Sequence, residues 1–275
     1  MITARLSRPL VYTILTVVTG VSLLPFAWVV FGAFKDTGEI LHDPGAWLPK
    51  SFGNLNNFVV LFTEKDFLVY FVNSLVVAAV VVIANVTLSS MAGYALSKLR
   101  FRGKKLVFGA VMASLMIPVT ALFVPQFSVI VQLGLADSLG GIIAPMVVLP
   151  LGIFIMQQFA SAVPEELIEA ARLDGAGEFR VFAQVFVPLL GPATAAVSIL
   201  TFLAAWNNFL WPLVVAQSES NYTLPVGLAV ASQGSNMTEY GVLLAGALVL
   251  LLPVLVLYMF LQRHFIQGIA ATGLR

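Results

Sequence analysis

The sequence predicts an all-α polytopic membrane protein of six transmembrane helices, with a short polar helix between spans four and five. Three observations predict it. The 275 residues are 60% hydrophobic and 10% charged, with a mean hydropathy of +0.99, against about 25% charged in soluble domains. Six apolar stretches each reach the roughly 20 residues a helix needs to cross the hydrocarbon core, and none alternates as barrel strands do. All 14 basic and 13 acidic residues fall outside those stretches. The chain therefore reads as one transmembrane domain, 1–275, with spans at about 10–34, 67–96, 106–133, 139–159, 185–216 and 240–262.

Taken in order, the first span follows Arg5 and Arg8 and ends at Lys35-Asp36. It exceeds the about 7–15 apolar residues of a secretory h-region and has no small-residue cleavage site after it, so it reads as a retained span. Loop 35–66 carries Pro44, Trp47, Pro49, Asn54, Asn56 and Asn57 and reads as a short ordered segment rather than a domain. Asn73, Asn85, Ser89 and Ser90 in span two, and Gln126, Ser128 and Gln132 in span three, suit hydrogen bonds between helices. Nine of the 14 prolines lie within spans, which predicts bent helices whose freed carbonyls find partners nearby. Loop 217–239 holds Glu219, Asn221, Gln233, Asn236 and Glu239 and no basic residue.

Orientation follows from Lys and Arg. Arg5, Arg8, the five basic residues between spans two and three, Arg172, Arg180, Arg263 and Arg275 share one side; Lys35, Lys50 and Lys65 lie on the other. That asymmetry places both termini in the cytoplasm.

The polar interval 160–184 then lies inside. Pro164 suits the first turn of a helix, Glu165 and Glu166 favour its positive end, and Gly175 suits the left-handed residue that closes it. Within it stands Glu169-Ala170-Ala171-Arg172-Leu173-Asp174-Gly175. The two alanines leave room for another backbone to approach, so the helix has the shape of a docking knob. A plainer reading of Glu169 is a surface pair with Arg172, worth about 0.2–0.5 kcal/mol.

Other chemistry is largely excluded. Cysteine is absent and the two histidines, His42 and His264, are far apart, which argues against a metal or imidazole site. A net charge of +1 gives no sign of nucleic acid. No ionisable residue lies at membrane depth, as an ion-driven carrier or a membrane-embedded enzyme would require. The cluster Trp206-Asn207-Asn208-Phe209-Leu210-Trp211-Pro212 has two readings: a sugar contact of stacked rings and amides, or an interfacial aromatic belt with interhelical amides.

Together with Val185-Phe186-Val187-Pro188, the Glu169–Gly175 stretch resembles the signature E-A-A-x3-G-x9-I-x-L-P of the membrane subunits of ATP-binding-cassette (ABC) importers, with Val at both aliphatic positions. Further phrases extend the likeness over nearly the whole chain: Phe71–Leu75, Tyr94–Gly103, Trp206–Pro212, Tyr222–Leu228, Leu252-Pro253 and Gln262–Gly268. Together they resemble the carbohydrate-uptake permeases, specifically the second, six-span subunit of the maltose or glycerol-3-phosphate type.

The resemblance implies a non-catalytic subunit in a prokaryotic inner membrane, partnered by a second permease subunit, two ATPase subunits that bind ATP and Mg, and an external solute-binding protein. It implies that the helix between spans four and five is a coupling helix seated in the ATPase. Glu169 then contacts a basic residue there, Ala170 and Ala171 allow the close seat, and Asp174 and Gly175 complete the element. It also implies that loop 217–239, with Asn221, Gln233 and Asn236, faces the binding protein. Trp206, Asn207 and Asn208 are candidates for the substrate path. The tail to Arg275 is shorter than in the maltose type. Sugars, amino sugars and glycerophosphodiesters all stay open as cargo.

Overall fold

The structure, a computed structural model, describes residues 8–233 and 237–272. In chain order the helices are α1 (Arg8–Gly32), α2 (Thr37–His42), α3 (Asn56–Glu64), α4 (Phe67–Lys98), α5 (Lys104–Ser114), α6 (Phe123–Gln132), α7 (Leu139–Ile143) and α8 (Pro150–Ala162). There follow α9 (Glu165–Leu173), α10 (Glu178–Arg180), α11 (Val187–Leu189), α12 (Gly191–Trp206), α13 (Leu210–Val215), α14 (Leu224–Ala231) and α15 (Tyr240–Thr272). Among the described residues β pairing amounts to an isolated bridge between Gln233 and Thr238. The all-α class is as expected.

Among the described residues three helices are long and apolar enough to cross a bilayer unaided: α1, α4 and the Tyr240–Phe260 part of α15. Three further candidates are bent pairs, so the count reaches six when each pair is one span. The stretch read as 106–133 turns through 98° between Ser114 and Val119, 139–159 turns through 41° between Met146 and Pro150, and 185–216 turns through 79° at Leu190. These spans are not single helices, and prolines account for it. Pro118 disfavours the helical region for Ile117, and Pro150 and Pro192 sit at helix starts, where a missing N–H costs nothing. A π-helical turn, Val181–Phe186, ends two residues before Pro188. The widened turn accommodates a ring that would otherwise clash with the carbonyl four residues back. Pro25 and Pro253 sit inside continuous helices.

The chain forms two compact units. One comprises residues up to Phe67 with Leu228–Leu252; the other comprises Leu68–Gly227 and the segment from Pro253. In the first, the 35–66 loop is ordered as expected. The Asn57 amide donates to the carbonyls of Ala33 and Lys35, both at 2.9 Å. Lys35, 1% exposed, donates to the Ala46 carbonyl and lies 5.2 Å from the Trp28 ring centroid. A buried ammonium is costly unless its donors are used; here a carbonyl and an aromatic face take the place of water.

In the second unit α4 is the central strut, and its polar residues bond between segments as expected. The Asn73 amide donates to the carbonyls of Ser220 and Tyr222, and the Ser74 hydroxyl accepts from the Leu224 N–H. Asn85, fully buried, donates to Thr201 Oγ1 at 2.7 Å and accepts from the Leu149 N–H at 2.8 Å and from Ser89. Gly93 lets α8 approach: a Cβ there would lie 2.9 Å from Met156 Cβ. Below that contact, Tyr94, Met156, Ala160, Ile168, Val181, Phe186 and Leu190 form one core. That core carries the polar interval.

Candidate functional site

The helix at the centre of the sequence argument exists as α9. It starts one residue later than expected, with Pro164 as its N-cap, Glu165 and Glu166 in the first turn, and Arg172 in the last. Ile168 is fully buried in the core just described, which holds the helix by about 1.5–3 kcal/mol of apolar burial. The end is a Schellman arrangement. The Gly175 N–H donates to the Arg172 carbonyl at 3.0 Å and the Ala176 N–H to the Ala171 carbonyl at 3.1 Å. Gly175 has φ +82°, and nothing lies within 4 Å of where its Cβ would be, so the constraint there is conformational.

Glu169, Ala170, Asp174 and Gly175 are exposed, whereas Ala171 is half-buried and turned to the core. The surface pair imagined for Glu169 is not formed. Arg172 instead binds Glu178 in a two-pronged contact, Nε–Oε1 at 2.8 Å and the second nitrogen to Oε2 at 3.2 Å. This is the one ion pair among the described residues. Glu169 therefore stays exposed, and two large apolar side chains of the same polar interval are exposed as well: Leu173, one turn on in α9, at 89%, and Phe179, in α10, at 80%. The sequence signal for these two was an apolar residue at each end of a polar interval.

The second candidate region is a cavity of about 590 Å³ in the same unit, lined by Gln126, Met146, Leu149, Asn207, Asn208 and Trp211 among others, with no charged residue in its wall. The Asn207 amide donates to the Leu203 carbonyl, and Asn208 Oδ1 accepts from the Trp211 N–H, so both are fixed while facing the space. Trp206 is not brought there. It is 1% exposed, stacked on Phe202 at 5.5 Å and edge-on to Phe71 at 5.8 Å. Trp211 is also buried, its indole N–H donating to the Gly141 carbonyl. Gln126, read as interhelical glue, lines the cavity instead.

The 217–239 segment is more folded than a loop. It contains the apolar α14, whose Leu224 and Val226 are fully buried. Asn221 is tied inward, its amide donating to the carbonyl and Oδ1 of Asp137. Gln233 is exposed, and Asn236 lies outside the described residues, as does Arg275. Asp137, a non-glycine at φ +52°, also accepts from the N–H groups of Gln217 and Ser218 and from the Ser218 hydroxyl. The Ser218 side chain and these N–H groups hold the Asp137 carboxyl well below the usual carboxylate range. A lowered folded value means this clasp is formed at neutral pH and lost only as pH falls through that low value.

The geometry has counterparts in known proteins. A model of the binding-protein-dependent transport system inner membrane component family matches residues 85–271. The arabinooligosaccharides transport system permease protein AraQ of Halalkalibacterium halodurans is 35% identical over 98% of this chain and 99% of its own. The lactose transport system permease protein LacG of Rhizobium radiobacter is 33% identical over 98% of this chain and 97% of its own. The diacetylchitobiose uptake system permease protein NgcG of Streptomyces coelicolor is 35% identical over 91% and 83%. A crystal structure of a bacterial ABC transporter that imports the acidic polysaccharide alginate superposes with a TM-score of 0.82 at 22% identity, over 96% of this chain and 100% of that one. With the family model matching most of its length and relatives above 30% identity spanning it, this chain belongs to the inner-membrane permease components of binding-protein-dependent ABC importers, of the sugar-uptake kind.

Proposed function

We propose that this subunit forms half of the translocation path for a neutral oligosaccharide and engages its ATPase through α9. The subunit itself is not catalytic; ATP and Mg belong to the ATPase, and a second permease and an external binding protein complete the importer. The observation that carries this reading is the outer face of α9 and the short α10 that follows it. The inner face of α9 is anchored by Ile168, while Glu169 and Leu173 on α9 and Phe179 on α10 are left outside the chain's own core. Large apolar side chains that exposed, on the same polar interval as an unpaired carboxylate, fit a protein–protein contact.

The cargo class rests on the cavity. Its volume falls in the roughly 300–1,000 Å³ range of small-molecule sites, and its polar groups are amides, which pair with hydroxyls and offer no cation to a phosphate or uronate. The relatives named for arabinooligosaccharides, lactose and diacetylchitobiose favour the same class over glycerophosphodiesters. Asn207→Leu and Asn208→Leu should each lower uptake at least about threefold, at unchanged assembly with the partner chains; one such lost hydrogen bond is worth about 1 kcal/mol. Normal uptake in both would remove these residues from the path.

The cytoplasmic placement of both termini is also proposed, from the Lys and Arg asymmetry. A reporter after Lys104 should be cytoplasmic and one at Gln217 external. An external signal at Lys104 would invert the topology and with it the side on which α9 lies.

A further inference from the structure

We infer that Tyr94 and Lys98, one turn apart at the end of α4, are positioning residues that clasp the coupling element at both ends and make α4 move with it. The inference rests on the coupling reading of α9 and deepens it. Four residues apart on a helix is one face, and both side chains are nearly buried, at 5% and 8% exposure. Tyr94 Oη donates to Glu178 Oε2 at 2.6 Å. That carboxylate is the one that also holds Arg172 in the last turn of α9. Glu178 therefore joins the C-terminal end of the element to α4 through two charge-assisted or short bonds, stronger than neutral ones.

Lys98 secures the other end. Its ammonium donates to the Val163 carbonyl, at the C-cap of α8 directly before Pro164. A cation there satisfies a carbonyl the helix leaves open and suits the negative end of its dipole. Between the two clasps Tyr94 packs on Phe186 at 4.8 Å between ring centroids, in the core that buries Ile168. No segment of α9 is thus free to rock without taking α4 along. The same α4 holds Asn85, bonded to Leu149 and Thr201 further along the helix. A displacement of α9 by an ATPase has a bonded route to the bent helices α8 and α12.

The test uses the complete reconstituted importer with its ATPase, partner permease and binding protein. Tyr94→Phe removes one hydroxyl and keeps the ring packing; Lys98→Met keeps the stem and removes the cation. Each should lower sugar imported per ATP hydrolysed by about tenfold, the scale of one hydrogen bond to a charged group, at unchanged KM for uptake. Lys98→Arg should restore the ratio. A merely structural role would reduce assembled complex and leave the ratio alone; that result overturns the inference even when yields fall. Glu169→Ala separates the two readings. If Glu169→Ala lowers the ratio and Tyr94→Phe and Lys98→Met do not, the clasp fails and the coupling reading stands. If none of the three changes it, both fall.

Discussion

Glu169→Ala leaves the permease inserted and lowers ATP-driven uptake by about 30-fold or more, with ATPase lost on purification of the complex. The size follows from the contact proposed for the carboxylate. A solvated pair within one helix is worth a few tenths of a kcal/mol. A charge buried against a basic partner at a protein–protein contact costs about 2–5 kcal/mol when truncated, because the survivor stays desolvated. The structure removes the first alternative: Arg172 is engaged with Glu178, so Glu169 has no charged partner among the described residues. Gly175→Val should act in the same direction, since a β-branched residue strains at φ +82° and would undo the bonds from Gly175 and Ala176 that close α9. Uptake and ATPase co-purification are measured at matched membrane levels. Full retention of both by Glu169→Ala would return Glu169 to the status of a surface residue.

What the sequence disclosed, and what it withheld, divides by range. α9 was legible because its signals are local: a proline, two early glutamates and a glycine that must turn left-handed all act within a dozen residues. Its start was off by one because Pro164 serves equally as cap or first residue. The membrane class was legible because hydropathy needs only counting. That helices bend was legible from the prolines within the spans; the place and size of each bend were not, since an apolar run from 106 to 133 records length and says nothing of direction, and Pro118 alone stood near the 98° turn. The segment 217–239 looked like a loop because α14 has eight residues, too few to register as a span. Trp206 and Gln126 exchanged expected places, since which face of an all-apolar helix meets a cavity is decided by neighbours in space. Likewise Tyr94 and Glu178 lie 84 residues apart, and nothing in their spacing announces the bond. Asn85 was read as interhelical glue, which it is, but its backbone partner at Leu149 could not be foreseen without the break between Met146 and Pro150.

That break makes Asn85→Leu the second substitution with a large expected effect. Leucine nearly matches asparagine in shape, so the loss is of hydrogen bonds and not of volume. Three partners are affected: Thr201 Oγ1, the Ser89 hydroxyl and the Leu149 N–H. Two of them are hydroxyls on helices, which can turn to a carbonyl of their own preceding turn. This is why hydrogen bonds between membrane helices average only about 0.6 kcal/mol. The Leu149 N–H has no such recourse. It lies in the break between two helix pieces, half-buried beside a fully buried Asn85, and an N–H orphaned there costs up to about 1–3 kcal/mol. The backbone term therefore dominates, and the sum comes to about 2–4 kcal/mol. Thr201→Val, which breaks one bond of the same network and leaves Leu149 paired, should cost about a quarter of that. Unfolding of the two variants by denaturant in mixed micelles gives the comparison. Equal losses for Asn85→Leu and Thr201→Val would mean that the Leu149 N–H finds another partner, and that α4 does not brace the bend through this amide.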